Sequence, residues 1–418
     1  MRLVTNFFKG VSKKEALSWA FFDFANSSYS LLIISFVFPI YFRDVIAGGG
    51  PVADFYWGLV VAISVLAGGL SAPVIGAIAD YDTRRKRKFI LFSLLAMIGT
   101  AAFYFTGSGL LLFSSLLFIA TNIFFELAVV FYDSFLARVS SKATTGRISG
   151  LGWGLGYLGG IVAMLLLAPL YSQGYGGELD SMYKLTFPFV SLFFLAFALP
   201  AFFFIREPTS FRKKESLLTL IRIGFQRTWN TIKEVKKHKN IAWFLVGFYF
   251  LNDALVTLFA FTPIYAKTTF ALSFSEILIL LFVVQLIGFP ASVIFGWLSD
   301  TKGPKRILLL TLGLWSVIII LLSIANSKEM FYVIASLIGL VVGSSQAVAR
   351  SWLSKIIPEE KRAEFFGFNG FASKISATTG PVIFGAVSAI TGNQRIAMLA
   401  LLPFFLIAFL IFSRLKEA

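Results

Sequence analysis

Gly76-Ala-Ile-Ala-Asp80-Tyr-Asp-Thr-Arg84-Arg85-Lys86 and Gly296-Trp-Leu-Ser-Asp300-Thr-Lys302-Gly303-Pro304-Lys305-Arg306 are two copies of one pattern, about half a chain apart. Each is a Gly-x-x-x-Asp that closes a long apolar run, followed by a tight basic turn that opens another. A block repeated in the same orientation implies a duplicated membrane bundle with a pseudo-two-fold axis along the membrane normal. Such bundles move solutes between their halves.

Working outward from these blocks, the apolar runs continue in both directions. The 418-residue chain is 57% hydrophobic and 14% charged, where a soluble domain carries nearer a quarter charged residues. Twelve runs reach the ~20 residues that cross a hydrocarbon core. They fall roughly at 16–42, 53–79, 88–106, 109–138, 147–172, 182–205, 241–266, 275–299, 304–325, 330–355, 363–391 and 395–413. Transmembrane strands are short and alternate in polarity, so a barrel is a poor reading of these runs. The fold class expected is an all-α membrane protein of twelve transmembrane helices in two pseudo-symmetric six-helix bundles.

The one long charged interruption, residues 206–240, divides the chain into an N-terminal bundle (1–205), a cytoplasmic basic linker (206–240) and a C-terminal bundle (241–418). Within the linker, Leu217 to Val235 has the pattern of an amphipathic helix for the inner leaflet, where basic residues meet anionic lipid. The alternative is a solubilising connection without specific contacts.

Charge distribution orients the spans. The net charge of +16 collects after every second span: Lys13 and Lys14, Arg84 to Lys88, Arg138 to Arg147, the linker, Lys302 to Arg306, Lys355 to Arg362, and Arg414 and Lys416. The opposite loops hold Arg43, Lys267, Lys328 and Arg395. This positive-inside asymmetry puts both termini in the cytoplasm and removes the nucleic-acid reading that the bulk charge invites. There is no cysteine, which excludes disulfides and thiol–metal sites. No Walker loop, His-Glu-x-x-His, Gly-x-Ser-x-Gly or thiol pair is present, so ATPase, protease, lipase and redox chemistry lack support. No cofactor or metal is expected. The first apolar run is too long and too polar, with Asp23 and Asn26, for a cleavable signal.

Ionisable groups inside a bilayer need a partner, a wet cavity or a function. Asp23, Glu126, Asp133, Asp253 and Lys374 lie within spans, and Arg350 lies toward a cytoplasmic end. Asn26, Asn252 and Gln346 add neutral polar groups. Most of these fall on spans 1, 4, 7 and 10, which surround the cavity in a two-bundle carrier. Glu126, mid-span, is the first candidate for a proton or substrate-amine site; the alternative is a structural ion pair with Lys374. Asp23 and Asp253 occupy comparable places, each near an asparagine. Either they line the substrate path or they make helix–helix hydrogen bonds with Asn26 and Asn252. Asp133 and Arg350 sit where a salt bridge would close the cytoplasmic mouth.

The repeated blocks read as a gate. Gly76 and Gly296 permit close packing at a span end. Asp80 can accept from free amides at the start of span 11, around Arg362, and Asp300 from those at the start of span 5, around Arg147. Arg85 and Arg306 open the following spans. The alternative is a topology signal alone. Six glycines between Gly150 and Gly160 offer close helix approach in span 5. The 49 phenylalanines read as lipid-facing bulk.

At this point the chain resembles the major facilitator superfamily (MFS). Three stretches are similar to its vacuole-effluxer-like members: Trp19-Ala-Phe-Phe-Asp23-Phe-Ala-Asn26-Ser-Ser-Tyr29 running on to Phe38-Pro39-Ile-Tyr41-Phe42, Phe131-Tyr132-Asp133-Ser-Phe-Leu136, and Gln346-Ala-Val-Ala-Arg350-Ser followed by Ile357-Pro358 and Arg362-Ala-Glu364-Phe365-Phe366-Gly367-Phe368. The resemblance implies secondary active transport, proton- or ion-coupled symport or antiport, with amino acids as first substrate because fungal relatives export them from the vacuole. The absence of long inserted loops points to a bacterial-type plasma membrane. The partners implied are a small-molecule solute, a proton or other coupling ion and membrane lipid, with a monomer as the unit. The rival class is a receptor or assembly factor on a carrier fold.

Overall fold

The computed structural model describes residues 11–81, 85–140, 145–206, 217–357 and 362–416. Among them every regular element is helical. The spans are α1 (Lys13–Ile46), α2 (Gly50–Tyr81), α3 (Arg85–Ala102), α4 (Leu111–Ser134), α5 (Thr145–Tyr171) and α6 (Leu179–Phe204). The linker helix α7 (Leu217–Lys237) precedes α8 (Lys239–Phe270), α9 (Phe274–Lys302), α10 (Pro304–Ile324) and α11 (Lys328–Ile356). Then come α12 (Arg362–Ser376), α13 (Thr379–Thr391) and α14 (Gln394–Arg414).

Eleven helices among the described residues are long and apolar enough to cross a bilayer. The twelfth expected span, 363–391, is present but broken into α12 and α13 at Ala377 and Thr378. Thr378-Thr-Gly-Pro381 explains the break. Pro381 lacks an amide hydrogen and is best placed in the first turn of a helix, and here a new helix starts two residues before it.

The chain forms two compact units, 1–38 with 70–226, and 39–69 with 227–418. These cut across the expected division at 205 and 241, because the end of α1 and the first part of α2 pack with the second set of helices.

In the first unit α1 packs on α5 and α6, and α3 on α4 and α6. Glycine sets the α1–α5 distance. A Cβ on Gly159 would overlap the backbone of Phe24, and one on Gly156 would lie 3.1 Å from Ser27 Oγ. The phenylalanines are not only lipid-facing. Phe22, Phe89 and Phe194 are fully buried, and Phe22 meets Phe89 at 4.7 Å and Phe194 at 5.6 Å. Lipid tails are as apolar as the side chains, so helix association relies on such close packing rather than on escape from solvent.

In the second unit α9 packs on α11, α10 on α11 and α14, and α8 on α12, α13 and α14. Gly339 brings α11 onto α9, where its Cβ would sit 2.6 Å from the Val284 carbonyl oxygen. Ser273 and Glu276 cap α9 reciprocally.

Candidate functional site

Asp23, on α1, is half-buried and held by two donors. Tyr132 of α4 donates its hydroxyl to Oδ2 at 2.8 Å, and Asn26 donates Nδ2 to Oδ1 at 3.3 Å. Trp19, one turn earlier, stacks on the Tyr132 ring at 4.6 Å and donates its indole N–H to the Tyr132 carbonyl at 3.1 Å. Gly152 of α5 leaves space for this group, since a Cβ there would run into Asp23 Oδ2 and Trp19. The Asp23–Asn26 bond stays within α1 and does not join two helices; the interhelical contacts come from Tyr132 and Trp19. Both lie within the quoted stretches, but the neighbouring aspartates drew the reading, and only helix rotation shows that Tyr132, not Asp133, faces α1. Tyr132→Phe is expected to destabilise the solubilised protein by about 1 kcal/mol, read as a lower thermal midpoint, because Asp23 loses its interhelical donor while keeping partial access to water.

Glu126 is half-buried on α4. Tyr29 is fully buried against Phe125 at 4.4 Å, and its hydroxyl has no hydrogen-bond partner among the described residues. Asp133 is exposed at the C-terminal end of α4. Glu15, not singled out in the sequence, gathers Arg138 at 3.6 Å and Arg206 at 3.5 Å, tying the start of α1 to the segments after α4 and α6.

In the second unit Asn252 and Asp253, adjacent on α8, bracket the break between α12 and α13. Asn252 donates to the Ser373 carbonyl at 2.8 Å and to Ser376 Oγ at 3.0 Å, holding the end of α12. Asp253 is fully buried and accepts from the Gly380 amide at 2.9 Å, capping the start of α13. Its Oδ2 has no hydrogen-bond partner among the described residues. Tyr249 and Thr379 pair at 2.9 Å beside it. Asp23 and Asp253 are therefore not equivalent: the first takes side-chain donors, the second a helix terminus. Lys374 of α12 is half-buried, with its Cβ 3.2 Å from where a Cβ on Gly69 would stand. Gln346 is half-buried on α11, and Arg350 is exposed one turn on.

Gly76 lies within α2, but its surroundings are outside what the structure describes, as are the side chains of Asp80, Arg147, Asp300 and Arg362. Arg85 is half-buried and Arg306 exposed at the starts of α3 and α10. The tight packing expected at Gly296 is not found among the described residues: a Cβ there meets none of their atoms within 4 Å. The close approach on α9 comes earlier, opposite Gly339.

A second polar cluster, absent from the sequence reading apart from its basic residues, fastens 39–69 to α8, α13 and α14. Asp54 is fully buried and accepts from Arg43 Nε at 3.0 Å, Ser388 Oγ at 2.5 Å and Gln394 Nε2 at 2.6 Å. Asp44 bridges Arg43 at 2.7 Å and Lys267 at 2.5 Å. Trp57 donates to the Ala260 carbonyl at 3.1 Å. Gly58 allows the backbone at Pro381 to approach, where any Cβ would overlap the carbonyl, and Gly385 does the same at Asp54, 2.6 Å from its carbonyl oxygen. Three of the four basic residues assigned to the outer loops are thus in ion pairs: Arg43, Lys267, and Lys328 with Glu276 at 3.3 Å. The fourth, Arg395, donates to the Ala325 carbonyl.

Residues 55–417 match the family described as vacuole effluxer Atg22 like. The chain is 27% identical over 413 residues to an MFS-type transporter of Bacillus subtilis (strain 168), YxiO, covering 97% of this chain and 95% of that one. It is also similar to the solved nucleoside transporter NupG, with a TM-score of 0.72 at 14% identity over 97% of this chain and 99% of that one. A D-xylose–proton symporter superposes with a TM-score of 0.72 at 14% identity, over 97% and 98%. At such identities the structural likeness shows the fold.

Proposed function

Because the chain belongs to the Atg22-like vacuole effluxer family and is a multi-pass membrane transporter of the MFS type, we propose that it moves a small organic solute by alternating access, driven by a proton or another ion gradient. Amino acids are the first substrate class, carried by the resemblance to vacuolar exporters. Nucleosides and sugars enter the test because the solved relatives act on them. The observation that carries the reading is the helix interrupted at Ala377 and Thr378, whose two ends are held by Asn252 and Asp253 of α8. Broken helices at membrane depth are tolerated only within protein or beside a wet path, and they are the usual place for solute and ion contacts.

In this reading Asp23, Asn26, Asn252, Asp253, Glu126 and Lys374 serve solute or proton. The Arg43–Asp54 cluster holds 39–69 in one state and releases it in the other. Asp133 and Arg350 close the cytoplasmic mouth, and Asp80 and Asp300 cap spans 11 and 5 in the same state. Both termini face the cytoplasm of a bacterial-type plasma membrane, an orientation supported by the distribution of basic residues.

The test is uptake of labelled amino acids, nucleosides and sugars into proteoliposomes under an imposed pH gradient. Gradient-dependent accumulation of one class is expected, with Asp253→Asn and Asp23→Asn lowering it at least about tenfold, the loss that follows from ~1.4 kcal/mol. If no solute moves and a protein partner co-purifies, the receptor reading replaces this one. For the mouth, Asp133→Asn is expected to raise labelling of a cysteine placed in the inner cavity; unchanged labelling and transport would remove that salt bridge from the mechanism.

A further inference from the structure

The linker helix α7 carries an exposed apolar ridge about a third of a turn around from its packed face. Gly224, Thr231 and Val235 are buried along one face. Leu218, Phe225 and Trp229, at i, i+7 and i+11, share another face and are 79%, 48% and 56% exposed. Arg222, Lys233 and Lys236 are exposed along the same ridge, and Lys233 Nζ lies 5.7 Å from the Trp229 ring centroid. Over its length α7 holds five basic residues and one acidic residue, Glu234, which pairs with Lys237 at 2.8 Å.

The chain itself sets where this ridge sits. His238 alone separates α7 from the membrane span α8, and α6, another span, ends at Phe204. The end of α7 is therefore at the boundary between hydrocarbon and water. There a tryptophan is stable with its ring in the headgroup layer and lysines reach outward along their alkyl stems. In water the same ridge would leave two aromatic rings and a leucine solvated.

We propose that α7 is a binding site for the headgroups of anionic phospholipids. Leu218, Phe225 and Trp229 insert into the leaflet, and Arg222, Lys233 and Lys236 engage the phosphates. The charge selects the lipid: each basic side chain near such a surface adds its own attraction, which salt weakens. Transport is not a premise of this site, so its test is independent of the solute.

The chain has no cysteine, so one introduced residue can be labelled uniquely in the full-length protein. Leu218→Cys on the ridge and Asn230→Cys off it are labelled with an environment-sensitive fluorophore and reconstituted in phosphatidylcholine vesicles with or without phosphatidylglycerol. With phosphatidylglycerol the 218 label is expected to be quenched by doxyl lipid and shielded from iodide, at least about twofold more than without it, and the 230 label to show the reverse preference. The combined Arg222→Gln, Lys233→Gln and Lys236→Gln change is expected to abolish the dependence on phosphatidylglycerol, and high salt to reduce it. A 218 label open to iodide and untouched by doxyl lipid overturns the proposal. So does a charge-neutralised protein that retains the full dependence.

Discussion

Arg43→Ala is expected to destabilise the folded protein by about 3–5 kcal/mol, because it strands the Asp54 carboxylate in a fully buried position with only Ser388 and Gln394 as donors. Replacing both charges, as Arg43→Met with Asp54→Leu, is expected to recover much of the loss, since a buried pair is costly mainly when broken. Thermal unfolding of the solubilised variants measures both. If 39–69 separates from α8, α13 and α14 during transport, the single variant has a second outlet: the segment moves away and Asp54 gains water. A membrane-impermeant maleimide would then label a cysteine at Ala260, now 2% exposed, faster in Arg43→Ala than in the parent. A large loss of stability with no change in labelling would make the cluster a fixed brace and not a gate.

Gly159→Val is expected to lose at least about 3 kcal/mol and most of the folded yield. The new side chain would overlap the Phe24 backbone, and backbone cannot swing aside as a side chain can. The control is Gly154→Ala, five residues away on the same helix, where a Cβ meets nothing within 4 Å among the described residues. There the better helix propensity of alanine should leave stability unchanged or raise it by up to about 1 kcal/mol. Equal behaviour of the two variants would mean that α1 and α5 are not in backbone contact.

How far the site was legible depends on the kind of signal each residue carried. The polar residues on spans 1 and 7 stood out because an apolar run makes any carboxylate conspicuous. Asp23 accepts from Asn26 and Tyr132, Asn252 donates to Ser373 and Ser376, and Asp253 accepts from the Gly380 amide. Asp54 was not conspicuous, since it falls at the edge of a run beside a loop, where an aspartate is ordinary. Only the folded chain shows it fully buried, with partners 11, 334 and 340 residues away. Tyr132 and Trp19 were hidden for another reason: an aromatic residue in a chain with 49 phenylalanines carries no local mark of its hydroxyl or indole having a specific acceptor. Gly296 and Gly339 each follow an apolar pair, yet among the described residues a Cβ on the second would run into a neighbouring helix and one on the first would meet nothing.

Hydropathy, the repeated basic-turn blocks and the one-sided placement of lysine and arginine were enough to determine an all-helical membrane protein of twelve spans in two related halves, because bilayer thickness and charge transfer act on each segment separately. Which residues meet was decided by tertiary structure alone. The break in span 11 is announced by Thr378-Thr-Gly-Pro381, but its bracing by Asn252 and Asp253 is not, and neither is the attachment of 39–69 to helices over 200 residues later. Such contacts depend on helix rotation and backbone separation, which change the identity of a neighbour with a small turn or shift and leave no periodic trace along the chain.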